Sequence, residues 1–194
     1  MALVALDRQH VGKPGKPGDL GAECKPRFSW EAYLTAEYLL AAEKELRRLG
    51  HDVIPISDGR NRDRHERFNN YASRYMGPSC YIAAHFNAGG GDYGASFFDA
   101  RSSLGERLAV RIKTEFNKEM PDLGRFRIIK SRPSDWTSNA FATIKGVWTG
   151  PACGICFEPA FLDNPWHVKL LDSDGLQLMG RTLARAIDEW AQSI

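Results

Sequence analysis

The sequence predicts an α/β fold: a single three-layer domain with a mostly parallel central sheet flanked by helices. Short apolar segments that favour strands alternate along the chain with longer segments of helical periodicity. This alternation is typical of strand–helix–strand units, which build parallel sheets. A chain of 194 residues, of which 43% are hydrophobic, is long enough for one substantial core. Because no repeat or linker interrupts the pattern, residues 1–194 are interpreted as one domain.

The individual elements follow from the spacing of the apolar residues. The predicted strands span residues 3–6, 53–56, 81–85, 94–98, 127–129 and 153–157. The predicted helices span residues 29–49, 64–75, 104–116 and 175–192. In the first helix, Ser29 is placed as the N-cap, Glu31 lies in the first turn, and Gly50 ends the helix. Segments 8–29 and 57–63 are interpreted as loops, and segment 130–150 has no clear periodicity.

The composition argues against several classes of function. The net charge is only +2 and no concentrated Lys/Arg run occurs, so nucleic-acid binding is not expected. No stretch approaches the roughly 20 apolar residues that span a bilayer, so stable membrane insertion is not expected either. The first residues lack the basic and apolar regions of a signal peptide, which predicts a protein made in the cytoplasm. Four cysteines are too few for a disulfide framework in a chain of this length.

Two histidines stand at the ends of predicted strands. Mostly apolar residues lead into His85, which is followed by a glycine-rich loop, and His10 follows the first predicted strand. Because the carboxyl ends of parallel strands meet at the same edge of a sheet, we expect the two imidazoles to lie close together. A single histidine in such a place is more often a hydrogen-bonded structural residue, but two of them favour a metal site.

Two carboxylates complete this pattern. Glu31 opens a helix after the loop that follows His10, and the positive end of the helix favours its ionised form. A hydrolytic zinc site uses about three protein ligands and leaves a position for water, so His10, Glu31 and His85 are the candidate ligands of Zn²⁺. Glu158 ends an apolar strand, where an acid is costly unless it is paired or catalytic, and it is the candidate general base. The structural alternatives are helix stabilisation by Glu31 and capping of the following segment by Glu158.

Four sequence elements occur in a characteristic order. They are Asp7-Arg8-Gln9-His10-Val11-Gly12 with Asp19-Leu20-Gly21-Ala22, the helix beginning at Glu31, Ala83-Ala84-His85-Phe86-Asn87, and Glu158-Pro159-Ala160-Phe161-Leu162-Asp163-Asn164. Together with Arg64 and Asn69 before the third strand, they resemble the zinc-dependent N-acetylmuramoyl-L-alanine amidases of family 3, found in bacterial cell-wall enzymes and phage endolysins. The resemblance spans nearly the whole chain. Gln9, Val11 and Ala160 depart from the family pattern at positions that shape loops and the cleft.

The resemblance implies a function and a site. It implies a peptidoglycan hydrolase that cleaves the amide bond between N-acetylmuramic acid and the L-alanine of the stem peptide. It places Zn²⁺ on His10, Glu31 and His85, with Glu158 as general base and then general acid. Asn87 and the loops 88–92 and 130–150 would bind the substrate. The last predicted helix runs to the C-terminus, so we expect no separate wall-binding domain, and we expect a monomer. A lone catalytic domain without an export signal fits a phage endolysin that reaches the cell wall through a holin-type membrane lesion.

Two other functions remain open at this point. One is a zinc peptidase or another metal-dependent amidohydrolase on the same scaffold. The other is a non-catalytic domain that binds the cell wall and has kept the fold. In the second case a metal ligand or the general base should be missing, and neither is missing from the sequence.

The remaining candidate residues are interpreted as structural. Cys153 and Cys156 lie in an apolar strand pattern and are predicted to be buried thiols rather than a redox pair or a zinc site. His51 and His65 are predicted to lie on the surface, and His167 in a solvated loop. Asp7 is either an extra metal ligand or a carboxylate that orients His10, and the resemblance favours the second role.

Overall fold

A six-stranded sheet forms the centre of the computed structural model, which describes residues 1–12, 14–16, 18–132, 142–147, 150 and 152–194. The strands in chain order are β1 (Leu3–Arg8), β2 (Glu23–Cys24), β3 (Ser29–Trp30), β4 (Asp52–Ile56), β5 (Ser79–Ala84), β6 (Ala95–Asp99), β7 (Arg127–Ser131) and β8 (Ala152–Glu158). The helices are α1 (Glu31–Arg48), α2 (Asn61–Ala72), α3 (Ser103–Glu119), α4 (Pro165–Lys169) and α5 (Ser173–Gln192).

The order of strands in the sheet is β4-β1-β5-β8-β6-β7. The pairs β1–β4, β1–β5, β5–β8 and β6–β7 are parallel, and β6–β8 is antiparallel. The predicted α/β fold with a mostly parallel sheet is therefore confirmed. Strands β2 and β3 form a separate antiparallel ribbon at the end of segment 8–29, where the sequence predicts a loop.

Helices cover both faces of the sheet. On one face, Val4 and Leu6 of β1 share a hydrophobic cluster with side chains of α1, α3 and α5. On the other face, Leu3 and Ala5 join a second cluster with α2 and residues of segment 142–147. Alternate residues of a strand point to opposite faces, so a strand between two helical layers is apolar at nearly every position. None of the described helices combines the length and apolar character needed to cross a membrane.

Helices α1 and α2 begin elsewhere than predicted, for local reasons. Trp30, not Ser29, is the N-cap of α1, and it provides no side-chain hydrogen bond. The backbone N–H of Glu31 instead donates to the carbonyl oxygen of Ala22 at 2.8 Å, so the preceding loop satisfies the helix end. Helix α2 begins inside the predicted loop 57–63, because the Asp63 carboxylate accepts a hydrogen bond at 3.0 Å from the backbone N–H of Arg60.

Segment 130–150 is described in part. Strand β7 extends to Ser131, beyond the prediction, and residues 142–147 lie on the α2 side of the sheet, where Ile144 and Val147 are buried. Residues 133–141, 148 and 149 lie outside the described residues.

Candidate metal centre and cleft

The carboxyl ends of β1, β5 and β8 carry the residues singled out in the sequence. His10 lies two residues beyond β1, His85 directly follows β5, and Glu158 is the last residue of β8. In the parallel register Ala84 pairs with Phe157, so His85 and Glu158 follow at the same level of the sheet. Since the three strands are neighbours, their polar ends meet at one edge, as the sequence predicted.

The Glu31 carboxylate lies between the two histidines. Its Oε1 atom is 2.9 Å from Nδ1 of His85 and 3.4 Å from Nε2 of His10. The two imidazole rings meet edge to face with centroids 5.1 Å apart. One potential ligand atom from each of the three residues lies within 4.8 Å of the others. The structure thus brings His10, Glu31 and His85 together as a candidate metal centre.

The three residues fit a tetrahedral metal ion. Bond lengths of about 2.0–2.1 Å place two ligand atoms of a tetrahedral zinc site about 3.4 Å apart, close to the separations of the Glu31 oxygen from the two histidines. The ligating nitrogens in this arrangement would be Nε2 of His10 and Nδ1 of His85, because these are the ring atoms that face Oε1 of Glu31. Two imidazole nitrogens and one carboxylate oxygen are a donor set that Zn²⁺ prefers in hydrolytic sites.

Several contacts keep Glu31 ionised and in place. Burial alone raises the pKa of a carboxyl group, but hydrogen bonds with His10 and His85 outweigh burial and hold the pKa of Glu31 well below its usual range. Backbone N–H groups of Phe86 and Ala22 donate to its two oxygens, each at 3.0 Å. Gly21 has a left-handed φ of +75°, and a Cβ atom there would lie 2.4 Å from Oε2 of Glu31. A glycine is therefore required where the loop passes the carboxylate.

Asp19, rather than Asp7, contacts His10. The Oδ1 atom of Asp19 lies 2.9 Å from Nδ1 of His10 and also accepts the backbone N–H of Gly21 at 3.2 Å. A carboxylate on the second ring nitrogen fixes the orientation of a metal-binding histidine. From the sequence, Asp19 is only part of a family motif and has no predicted role in the site. The Asp-x-Gly spacing was the available signal.

The prediction that Asp7 orients His10 is wrong. Asp7 is fully buried, and its carboxylate accepts hydrogen bonds from Arg64 at 2.5 Å and from Gln9 and Tyr81. The physical reason is strand geometry. Leu3 and Ala5 lie in the cluster on the α2 face, and Asp7 continues their alternation toward the Arg64 guanidinium of that helix.

Glu158 shares a cleft with the candidate metal centre. Burial raises the pKa of Glu158; the nearby His85 opposes this rise and the negative charge of Glu31 adds to it. Asn87 donates from Nδ2 to Oε2 of Glu158 at 2.7 Å, and the Cys156 thiol lies 3.7 Å from Oε1. A partly buried carboxyl group with a raised pKa beside a metal site is suited to accept and return a proton.

The cleft is a cavity of about 480 Å³. Besides the charged and ligating residues already named, its lining includes Asn87, Ala88, Ala142 and Thr143. The last three come from the two loops expected to contact substrate. The prediction that Asn87 binds substrate stays a prediction, because the structure places its amide nitrogen on Glu158.

One wall of the cleft is held by α2. Asn61 donates to the carbonyl oxygen of Ala142 at 3.2 Å, and Asn69 donates to that of Gly146 at 2.9 Å. Between them, Nε2 of His65 lies 2.7 Å from the carbonyl oxygen of Thr143. The helical spacing of these three side chains lets one face of α2 fix the segment that carries the cleft wall.

Three histidines lie elsewhere than predicted. His51 and His65, predicted to be on the surface, are 5% and 3% exposed, and His167, predicted in a solvated loop, is 2% exposed. His51 accepts the backbone N–H of Ala2 at 3.0 Å and lies 3.0 Å from the carboxylate of Asp188.

His167 belongs to α4, a short helix that the sequence did not predict. Its Nδ1 atom accepts the backbone N–H of Phe161 at 2.9 Å, and its Nε2 atom lies 3.1 Å from the carbonyl oxygen of Leu123. The side chain of Asn164 caps the helix by accepting the backbone N–H of Trp166 at 2.9 Å, and proline occupies the first turn.

The cysteines behave as predicted. Cys24, Cys80, Cys153 and Cys156 are free and buried. Burial raises the pKa of Cys153 and Cys156 well above the ordinary thiol value, so both remain protonated and unreactive.

Comparison with known proteins places the fold. No family model matches the sequence, and no curated protein matches it. Solved structures do. The chain aligns with Cwp6 from Clostridium difficile at a TM-score of 0.75 and 20% identity over 97% of its length, which is 29% of the Cwp6 chain.

Two other solved structures match over nearly their full length. The N-acetylmuramoyl-L-alanine amidase AmiC2 of Nostoc punctiforme aligns with a TM-score of 0.73 and 15% identity, covering 98% of this chain and 97% of that one. The catalytic domain of CwlV, an N-acetylmuramoyl-L-alanine amidase from Bacillus (Paenibacillus) polymyxa var. colistinus, aligns with a TM-score of 0.71 and 21% identity, and the alignment covers 99% of both chains. The resemblance drawn from the sequence is therefore confirmed at the level of structure: the chain has the fold of the N-acetylmuramoyl-L-alanine amidases.

Proposed function

We propose that this protein is a zinc-dependent N-acetylmuramoyl-L-alanine amidase that cleaves the bond between N-acetylmuramic acid and the L-alanine of the peptidoglycan stem peptide. One observation carries the proposal. His10, Glu31 and His85 place their ligand atoms within 4.8 Å of one another, in the same cleft as Glu158. The fold shared with amidases supports the choice of bond.

The chain's residues divide the work of amide hydrolysis. His10, Glu31 and His85 would hold the ion, and Asp19 would keep the His10 ring in the orientation that ligation requires. When bound, Zn²⁺ supplies a Lewis acid that lowers the pKa of water to about 7 and stabilises negative charge on the scissile carbonyl.

Glu158 acts as the proton carrier. It accepts a proton from the attacking water and returns it to the nitrogen of the departing L-alanine, so the peptide leaves as a neutral amine rather than an anion. Its raised pKa brings it nearer to neutrality, where a group can both accept and donate a proton efficiently. Asn87 fixes the carboxylate through the 2.7 Å hydrogen bond to Oε2.

The test is digestion of purified peptidoglycan followed by mass spectrometry. The amidase reaction releases intact stem peptides with a free L-alanine amine and leaves glycan strands that carry no peptide. The release should stop when a chelator removes the metal and resume when Zn²⁺ is added back. Fragments cut within the stem peptide would instead identify a zinc peptidase on this scaffold. Stoichiometric zinc without any product would identify a non-catalytic wall-binding domain.

The biological setting is part of the proposal. We expect the monomeric protein to act on cell-wall peptidoglycan, and a phage endolysin released through a membrane lesion remains the setting that the sequence favours. Residues that line the cavity, such as Ala142 and Thr143, would then contact the glycan or the peptide near the scissile bond.

A further inference from the structure

The β2–β3 ribbon carries an unusual exposed aromatic side chain at its tip. Phe28 is 95% exposed, and its backbone adopts the left-handed region with a φ of +49°. Both features are unfavourable for a phenylalanine, because its ring gains nothing from burial and its Cβ atom is strained by a positive φ. The left-handed backbone ends the short turn Lys25–Arg27, where the backbone N–H of Phe28 donates to the carbonyl oxygen of Lys25 at 3.1 Å. A glycine would end this turn without strain and without an exposed ring, so a phenylalanine here points to a contact made with something outside the protein.

The other residue of this kind lies in the candidate site itself. Among the described residues, only His10, with a φ of +60°, and Phe28 have a left-handed backbone without being glycine. Strained backbone conformations concentrate at functional sites, where the rest of the structure holds them in place. His10 follows that rule as a candidate metal ligand, and Phe28 lies on the ribbon that leads to the next candidate ligand.

The ribbon is continuous with the cleft. Its two strands are flanked by Ala22 and Glu31, which both line the cavity. The backbone N–H of Glu31 donates to the carbonyl oxygen of Ala22 at 2.8 Å, and the backbone N–H of Ala22 donates to Oε2 of Glu31 at 3.0 Å. Phe28 lies three residues from Glu31, so the chain places it no more than about 11 Å from that ligand.

Two further exposed aromatic residues follow Phe28 closely in the sequence. Trp30 ends the ribbon and is 36% exposed, and Tyr33 in the first turn of α1 is 54% exposed. Of the five exposed aromatic side chains in the described part of the chain, these three fall within six consecutive residues. We name Phe28, Trp30 and Tyr33 the aromatic rim.

We propose that the aromatic rim binds the sugar rings of a glycan strand as the strand leaves the cleft. This inference rests on the proposed function, because the bond to be cut joins a glycan to a peptide and the glycan must continue past the metal site. Pyranose rings present flat faces of C–H groups, which pack against an exposed aromatic face and lose little solvation. The stem peptide carries charged carboxylates, which have no such match on an apolar ring.

The first test separates polymer binding from catalysis. Phe28→Ala should weaken co-sedimentation with insoluble peptidoglycan, and with peptide-free glycan strands, by about 3- to 10-fold, the range expected for one aromatic contact. Its kcat/KM on a small soluble muramoyl peptide should stay within about twofold of the wild type. Tyr71→Ala, which removes an exposed aromatic residue from α2, is the matched control and should change neither value.

A second variant distinguishes binding from a structural role. Phe28→Gly should relieve the left-handed strain and raise Tm by about 2–4 °C, while it weakens wall binding as much as Phe28→Ala does. A structural role for Phe28 would instead lower Tm and binding together.

Two outcomes overturn the inference. In the first, both Phe28 variants sediment with the wall as the wild type does. In the second, the wild type binds cross-linked wall but does not bind peptide-free glycan, which would show that the rim contacts the peptide. A wild-type protein that binds glycan through Phe28 but cleaves no muramoyl peptide would contradict the proposed function and leave the rim intact.

Discussion

Asn87→Ala tests how strongly catalysis depends on the position of Glu158. In the structure the half-buried amide donates to Oε2 of Glu158 at 2.7 Å, and its own Oδ1 atom accepts the backbone N–H of Ala88 at 2.8 Å. A hydrogen bond to a charged group contributes about 1.5–3 kcal/mol. If that free energy is lost in the transition state, kcat should fall by about 10- to 150-fold, since each 1.4 kcal/mol is roughly a factor of ten.

The assay is steady-state release of L-alanine amine from a soluble muramoyl peptide, with metal content measured on the same samples. A positioning role predicts a lower kcat with little change in KM and with full metal content. Asn87→Asp is the matched variant. It keeps the shape and the acceptor for Ala88 but places a second negative charge beside Glu158, so its loss should be at least as large. A raised KM with a kcat within twofold of the wild type would refute the positioning role and assign Asn87 to substrate binding.

Three further predictions concern the same cleft and its support. Glu158→Gln should keep its zinc and lower kcat by about 10²- to 10⁴-fold, and normal turnover would remove Glu158 from its role. The folded state raises the pKa of Glu158, so the folded protein keeps this proton at pH values where the unfolded chain has lost it. Wild-type stability should therefore fall as the pH rises from the ordinary glutamate pKa to the raised one. Thermal unfolding of Glu158→Gln should lack this dependence on pH. Asp7→Ala should lower the free energy of unfolding by about 3–5 kcal/mol, because it leaves the Arg64 guanidinium buried without its carboxylate; a urea midpoint equal to that of the wild type would contradict this. His65→Ala should raise KM more than it lowers kcat, because the segment carrying Thr143 loses an anchor, and an unchanged KM would show that this wall does not contact substrate.

The mostly parallel character of the sheet and the edge that carries the site could be predicted from the sequence, whereas the strand order and the antiparallel pairing of β6 with β8 could not. Strands β1, β5 and β8 are buried at nearly every position, so they appear as continuous apolar runs, and each run ends in or near a polar residue. Parallel pairing then brings His10, His85 and Glu158 to one edge. The position of Glu31 followed from the helix that it opens.

What could not be predicted depends on partners that are distant in sequence. His51 is paired with Asp188, and His167 with the carbonyl oxygen of Leu123. The sequence around each histidine therefore does not indicate that its side chain is buried. The choice between Asp7 and Asp19 as the partner of His10 depended on which face of β1 each side chain reaches. Nothing in the spacing around Phe28 indicated a ribbon, since its strands have only two residues each.

The zinc content of the His85→Ala variant tests the central claim most directly. After saturation with Zn²⁺ and removal of free ion, the wild-type protein should retain about one ion per chain by inductively coupled plasma mass spectrometry. His51→Gln alters a buried histidine near the amino end of β1, where it contacts Ala2, and should also retain about one ion per chain. His85→Ala should retain less than about a tenth of that amount while remaining folded by circular dichroism. Full zinc occupancy in folded His85→Ala would contradict a metal centre built from His10, Glu31 and His85.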